Sequence, residues 1–268
     1  MARLTQLCTS AALATLIATT PALADITAKE VWDNWQNRLT TLGFEVSFDE
    51  AMSAGILTIN NLTLTMIDDD QQTSTITLGP VGYREQGDGS VEVILATDTP
   101  VTFKNDGSSF TFNQTHTGLS YIISGSPDAI THNIQADEIS LNLTEMVEKG
   151  ELFENAKLDL ILRAVSGTSL LESGGFDKVI SDFTIGEFAY DMDMKEPGEQ
   201  GKVYAWNGSI TNLHGNTNIV IPKNLKTGAP TELLDAGIVL NFPPIGDKPP
   251  ASSRSASANL LMIFSPEF

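Results

Sequence analysis

Leu57-Thr58-Ile59-Asn60-Asn61-Leu62-Thr63-Leu64-Thr65-Met66 is a run in which apolar and polar residues alternate, and its reading decides the fold. Side chains of an extended chain point alternately to opposite faces, so a period of two marks a strand with one face on a core and one toward solvent. Around Asn60-Asn61 the apolar set moves from Leu57 and Ile59 to Leu62 and Leu64, a change of parity that a β-bulge accommodates. The same alternation returns at Val91-Val93-Leu95, Phe110-Phe112 and Leu119-Tyr121-Ile123, and then at Ile130-His132-Ile134 and Ile139-Leu141-Leu143. It continues at Leu158-Leu160-Leu162, Phe188-Tyr190-Met192 and Ile210 to Ile221. Threonine fills many of the alternate positions, as suits the solvated face of an antiparallel sheet. Gln86-Gly87-Asp88-Gly89 and Asn105-Asp106-Gly107 carry the Asp-Gly pairs of tight hairpins. These features predict a mainly β fold: an extended, strongly curved, meander-like antiparallel sheet of roughly a dozen strands. Short helical turns are expected to interrupt it at Leu143 to Phe153 and at Gly167 to Ser181.

One helix precedes the sheet. Thr27-x-x-Glu30 is a capping box, Val31, Trp32, Trp35, Leu39 and Leu42 follow at helical spacing, and Gly43 is placed to end the helix in a left-handed cap. The expected element is an amphipathic helix over 28–42. Its two tryptophans are read as packing onto the sheet rather than as ligand-stacking groups.

Residues 1–24 read as a secretory signal peptide. Arg3 supplies the positive n-region, Ala11 to Thr19 the apolar h-region, and Ala22-Leu23-Ala24 the small-x-small site before Asp25. The apolar stretch is too short for a membrane span and Pro21 ends it. The expected mature chain therefore starts at Asp25, is exported, periplasmic or otherwise outside the cytoplasm, and is soluble after cleavage. Cys8 is the only cysteine and lies inside the signal, too early for a lipidated cysteine, so the exported chain has neither thiol nor disulfide and relies on its core. The formal net charge of the whole chain is −19, and loss of Arg3 makes it one unit more acidic. Such a surface repels phosphate backbones and anionic head groups, which argues against a nucleic-acid partner or an electrostatic membrane role.

No catalytic constellation emerges. His116, His132 and His214 lie far apart in sequence and form none of the spacings that bind zinc, and His132, in phase with Ile130 and Ile134, reads as a satisfied half-buried strand histidine. Nucleophile elbows, phosphate loops and dinucleotide fingerprints are missing. Asp68-Asp69-Asp70 and Asp191-Asp193-Glu196 near Gly198 suggest weak calcium sites, but neither follows a calcium-loop spacing, and solvated hairpin tips are the simpler reading. No catalytic, cofactor-binding or metal-binding residues are assigned, no cofactor is expected, and ligand-binding residues are not legible.

The β-rich domain is expected over 25–242. Pro243-Pro244, Pro249-Pro250 and the Ser/Ala run 251–258 make 243–268 a Pro/Ser-rich linker and tail without a core of its own. Phe268 is terminal with Phe264 and Met262 in phase, as at the end of an outer-membrane barrel, but Pro266 breaks the phase and aromatic girdles are lacking.

The run Ala24-Asp25-Ile26-Thr27-Ala28-Lys29-Glu30-Val31-Trp32-Asp33-Asn34-Trp35-Gln36, with the hairpin Gln86 to Val93 and the two-period strands, resembles the uncharacterised proteobacterial envelope family called domain-of-unknown-function family 2125. The likeness covers about residues 24 to 240, and its most specific part is the export signal followed at once by the Trp-x-x-Trp helix. Members of that family generally run longer, so the resemblance implies a chain shortened at its C-terminus; it implies no catalytic residues. At the level of fold alone the architecture is similar to envelope proteins of the AsmA group, whose long curved sheets form grooves for lipid chains. The expectation is a non-enzymatic exported protein that binds or scaffolds an apolar envelope component such as lipid. The alternatives are a structural or partner-binding envelope module, marked by an unpaired sheet edge, and a secreted hydrolase working through carboxylates. They differ in whether the apolar sheet face closes on a core or lines an open groove.

Overall fold

The computed structural model describes residues 25–67, 71–195 and 201–222. The expected signal segment 1–24, Asp68-Asp69-Asp70, Glu196, Gly198, residues 223–242 of the expected β-rich domain and the expected 243–268 tail lie outside the described residues. Helix α1 (Ala28–Thr41) is followed by β1 (Glu45–Ser53), β2 (Ile56–Ile67), β3 (Thr73–Thr77), β4 (Val81–Glu85), β5 (Val91–Leu95) and β6 (Asp98–Asn105). Then come β7 (Ser108–Thr117), β8 (Ser120–Ser126), β9 (Ala129–Glu148), the two-residue β10 (Glu151–Leu152), β11 (Lys157–Ser173), β12 (Phe176–Lys195) and β13 (Val203–Pro222). All belong to one 13-stranded antiparallel sheet.

That count conceals a simpler design. β2 pairs with β3 at Thr63↔Thr77 and with β4 at Ile59↔Val81 in one unbroken register, so β3 and β4 are two halves of a single bent strand. β7 and β8 lie likewise along β9, through Thr117↔Glu138 and Ser120↔Gln135. β5 and β6 continue one another between them, with β5 against β4 and β8 and β6 against β3 and β7. The molecule is thus a meander of nine long strands, each paired with its sequence neighbours, from β1 to β13.

A crease crosses this meander. On the inner face, apolar residues keep a period of two within each half of a strand but stand three apart where the halves meet: Ile59 and Leu62, Leu78 and Val81, Ala136 and Ile139, Leu162 and Val165, Ile185 and Phe188. Continuing the pairings brings Asn61 level with Gly79, Gly118 with Asp137, and Asp137 in turn with Ala164, Gly186 and Asn212. Asn61, Gly118, Ala164 and Asn212 all have φ between 50° and 62°. The parity change expected at Asn60-Asn61 is therefore one point on a line spanning the sheet. Each strand switches faces there, so the apolar side stays continuous although the pleat is broken.

Helix α1 closes one side of the crease. Glu30 N–H donates to Thr27 Oγ1 at 3.2 Å and Thr27 N–H to Glu30 Oε2 at 2.9 Å, the reciprocal capping box. At the other end Phe44 N–H donates to Leu39 O and Gly43 N–H to Thr40 O, both at 3.0 Å, with Gly43 at φ 91°, a Schellman cap that ends the helix at Thr41 with Leu42 as cap residue. Ala28, Val31, Trp32 and Leu39 face inward. Trp32 is fully buried, edge-on to Phe48 with ring centroids 4.8 Å apart and tilted against Tyr83. The tryptophans pack onto the sheet, as their spacing implies. Across the chain, Ala28 N–H donates to Glu85 Oε1 at 3.0 Å, satisfying one of the free donors of the first turn.

Both expected helical interruptions are strand instead. Leu143 to Glu148 completes β9, with a Lys149-Gly150 turn before β10, and Gly167 to Ser181 spans the β11–β12 hairpin. Backbone groups there find partners on both sides, as in Ile134↔Gly167↔Phe183, and this cross-strand pairing outweighs the weak strand propensity of the Gly- and Ser-rich segment. Asp191 and Asp193 also lie within β12, opposite Asp159 and Lys157, and not at a hairpin tip.

Candidate functional site

The inner face of the sheet has two characters, one on each side of the crease. On the α1 side, Leu57, Ile59, Tyr83, Val91, Ile123, Ile130, Leu171 and Val179 are fully buried, in a core that runs from the helix to Ile219 on the last strand. A polar row crosses this core: His132, Ser169, Ser181 and Thr217 occupy paired positions of β9, β11, β12 and β13, and all are buried. Tyr121 Oη lies 2.9 Å from His132 Nδ1, and Ser169 Oγ lies 2.8 Å from Ser181 Oγ. These hydrogen bonds offset the desolvation of His132, Ser169 and Ser181, whereas Thr217 Oγ1 is buried without a partner among the described residues. His132 is thus a satisfied core histidine, more deeply buried than its sequence pattern suggests.

On the other side the same face stays apolar but is closed only in part: Ala136, Ile139, Leu141, Leu162 and Ile185 are buried, and the cover is lost toward the outer strand β13. Two adjacent rows cross five strands there. One is His116, Ile139, Leu162, Phe188 and Ile210; the other is Gln114, Leu141, Leu160, Tyr190 and Gly208. A third row beside them continues through Phe112, Leu143, Met192 and Trp206. Phe112, Leu143, Leu160, Tyr190 and Met192 are only partly buried, and Trp206 and Ile210 are 62% and 43% exposed. β13 displays the contrast within one strand. Gly215, Thr217 and Ile219 are buried on the α1 side, whereas Tyr204, Trp206 and Ile210 stand in solvent on the same face. Exposed apolar side chains grouped in this way, beside a partly buried apolar face, are the kind of surface that marks an interaction site.

The opposite face is mainly polar in this region, with Ile161 and Ala189 among its few apolar residues. Thr63, Thr77, Thr102 and Thr111 form a cross-strand row, with Thr102 and Thr111 hydroxyls 3.2 Å apart. Arg163 donates to Glu138 Oε2 at 3.0 Å and to Glu187 Oε2 at 2.6 Å, bridging three strands, and Lys157 donates to Asp191. The hydrogen bond that Lys157 donates to Asp191 holds its ammonium above its ordinary range, and the bond that Arg163 donates to Glu187 does the same for the guanidinium. Asp159, Asp191, Glu138 and Glu187 thus sit in ion pairs on the outer face, away from the apolar rows. Both partners in these pairs are substantially exposed, so they contribute register more than stability.

Between the closed and open halves lies an apolar cavity of about 80 Å³. It is lined mainly by aliphatic residues such as Val93, Val101 and Ile134, with Trp35 of α1, Tyr83 and Tyr121, and by the polar side chains Thr99, Gln114 and His116. The last two are the cavity ends of the two apolar rows. His116 Nε2 lies 3.3 Å from Leu95 O, while its Nδ1 is buried without a hydrogen-bond partner among the described residues. Sequence reading assigned His116 no role. The signal was the break in alternation at Phe110-x-Phe112-x-Gln114-x-His116, where two polar side chains take positions that phase gives to the apolar face.

His214 lies on the outer face, exposed, with Nε2 3.2 Å from Asp182. The structure does not bring the three histidines together, and among the described residues no group of three His, Cys, Asp or Glu side chains is placed to hold a metal ion. No described helix is long and apolar enough to cross a membrane. No protein-family model matches the chain, and no curated protein or solved structure matches it.

Proposed function

We propose that this is an exported, non-enzymatic protein of the cell envelope that holds the apolar chain of a lipid along the open half of its sheet. The observation that carries the reading is the apolar face that runs from the crease to Trp206 and loses its cover toward β13, where Trp206 and Ile210 are exposed, backed by a mainly polar, ion-paired outer face. Its rows cross five strands spaced about 4.8 Å apart, roughly 19 Å of continuous apolar surface, which suits an extended acyl chain. The resemblance to the uncharacterised envelope family and the likeness of the sheet to AsmA-type grooves point the same way, as analogy. Extraction of the purified mature protein followed by mass spectrometry tests the proposal. The expected result is co-purified lipid and saturable binding of an apolar fluorescent dye; a protein free of lipid that ignores the dye would count against it.

A second reading, attachment of a partner strand, is favoured by one observation: among the described residues β13 is paired only with β12, leaving a 20-residue edge. Long free edges are templates for strand addition. A pull-down that depends on β13 edge residues and survives delipidation would support this reading over the first.

A further inference from the structure

We propose that the cavity at the crease receives the polar end of the bound molecule, and that this end carries a hydrogen-bond donor, such as an alcohol hydroxyl, which His116 Nδ1 accepts. The inference rests on the lipid reading of the open face and adds to it the chemistry of the ligand's head. A backbone carbonyl only accepts hydrogen bonds, so the contact from His116 Nε2 to Leu95 O makes Nε2 the donor. The neutral ring then presents Nδ1 as a lone-pair acceptor, and that atom is buried with no partner among the described residues. A buried acceptor left unpaired is costly, and native proteins rarely leave one without a reason.

The surroundings specify what can satisfy it. Thr99 already uses its hydroxyl on Ala96 O and the Tyr121 hydroxyl lies against His132, so the Gln114 amide and the Tyr83 hydroxyl are the other polar groups of the wall. The rest of the wall is mainly aliphatic, which suits a ligand whose polar group is small and whose adjoining atoms are methylenes. The cavity, at about 80 Å³, is several times the roughly 10–15 Å³ that one water requires, so it admits a hydroxyl with the first carbons of its chain. From there the rows that begin at His116 and Gln114 lead outward to Ile210 and Gly208, so the head would lie at the crease and the tail would extend toward the exposed edge strand. An ionised carboxylate offers no donor to Nδ1 and meets a mainly apolar wall, so a fatty alcohol or hydroxylated chain is preferred over a fatty acid anion.

The test compares hexadecanol, hexadecane and palmitate, by displacement of an apolar fluorescent dye from the full chain and from His116→Phe. One neutral hydrogen bond corresponds to a preference of up to about tenfold. The wild-type protein is expected to favour hexadecanol over both other probes, and the variant to lose that preference while still binding hexadecane. In wild-type protein alone, hexadecanol and not hexadecane should shift the His116 ring-nitrogen resonance, a readout that does not depend on the variant folding. Equal preference in both proteins, or a resonance that hexadecanol leaves in place because only water occupies the cavity, would overturn the assignment of the head while leaving the tail surface intact. Failure of all three probes would remove the lipid reading along with it.

Discussion

Tyr83 shows how a single side chain links packing to solution behaviour. Its ring is buried against Trp32 in the closed core, and burial pushes the phenol well above its ordinary value of 10.0. The unfolded chain releases this proton near its ordinary value whereas the folded chain retains it, so the contribution of Tyr83 is complete below about pH 10 and is lost as pH rises further. The loss can reach about 1.4 kcal/mol per pH unit for one proton. Tyr83→Phe keeps the ring and abolishes the titration, so urea denaturation between pH 9 and pH 12 should show a shallower alkaline decline in the variant than in the parent. A decline of equal slope in both would mean that the Tyr83 phenol is not withheld from solvent.

At the scale of elements, the helix and the crease rest on local chemistry that can be removed piece by piece. Thr27→Ala deletes one half of the capping box and is expected to lower stability by about 0.5–2 kcal/mol in urea denaturation, with strand content unchanged by circular dichroism. Gly186 lies on the crease, where a Cβ atom would stand 2.9 Å from the Cβ of Ala164 on the neighbouring strand. Gly186→Val should therefore force the two backbones apart at a cost of about 1–3 kcal/mol, whereas Gly175→Ala, with open space at its Cβ position, should change stability by less than about 1 kcal/mol. Gly118, at φ 62°, shares the left-handed backbone of Asn61, Ala164 and Asn212, and a Cβ atom there would collide with Asp137 Oδ2.

For the whole molecule, the inner and outer faces make opposite predictions from adjacent residues. Leu160 is on the open apolar face between Leu141 and Tyr190, and Ile161 is on the outer face between Ser140 and Ala189; both are partly buried. Leu160→Glu should weaken fatty-alcohol and dye binding by tenfold or more, because a carboxylate in the apolar row must be desolvated by the bound chain. Ile161→Glu should leave binding within about twofold of the parent, as a hydration-accessible substitution on the far face. Equal loss in both variants would indicate damage to the sheet rather than to a surface. The crease allows one sheet to be packed core on one side and open surface on the other, because each strand can change which residues face inward without losing its neighbours.

Alternation, turn chemistry and caps, all properties of near neighbours, were enough to establish the strands from Phe44 onward, the Asn105-Asp106-Gly107 and Gln86–Gly89 hairpins, and a helix from the Thr27 cap to Gly43. Even the crease left a trace in the sequence, at Leu57-Ile59 against Leu62-Leu64. That the breaks at Asn61, Gly118, Ala164 and Asn212 fall on one line depended on register between distant strands, which only tertiary structure sets. The Gly- and Ser-rich segment around residues 167–181 was misread as helical turn for the same reason, since its strand character comes from Ile134 and Phe183 on either side. The sequence by itself determined a β meander with an apolar face. Whether that face is covered was decided by tertiary structure, because cover is a relation between parts far apart in the chain: α1 packs on one side of the crease, Ile139 and Leu162 are buried on the other, and Trp206 and Ile210 beyond them stay exposed.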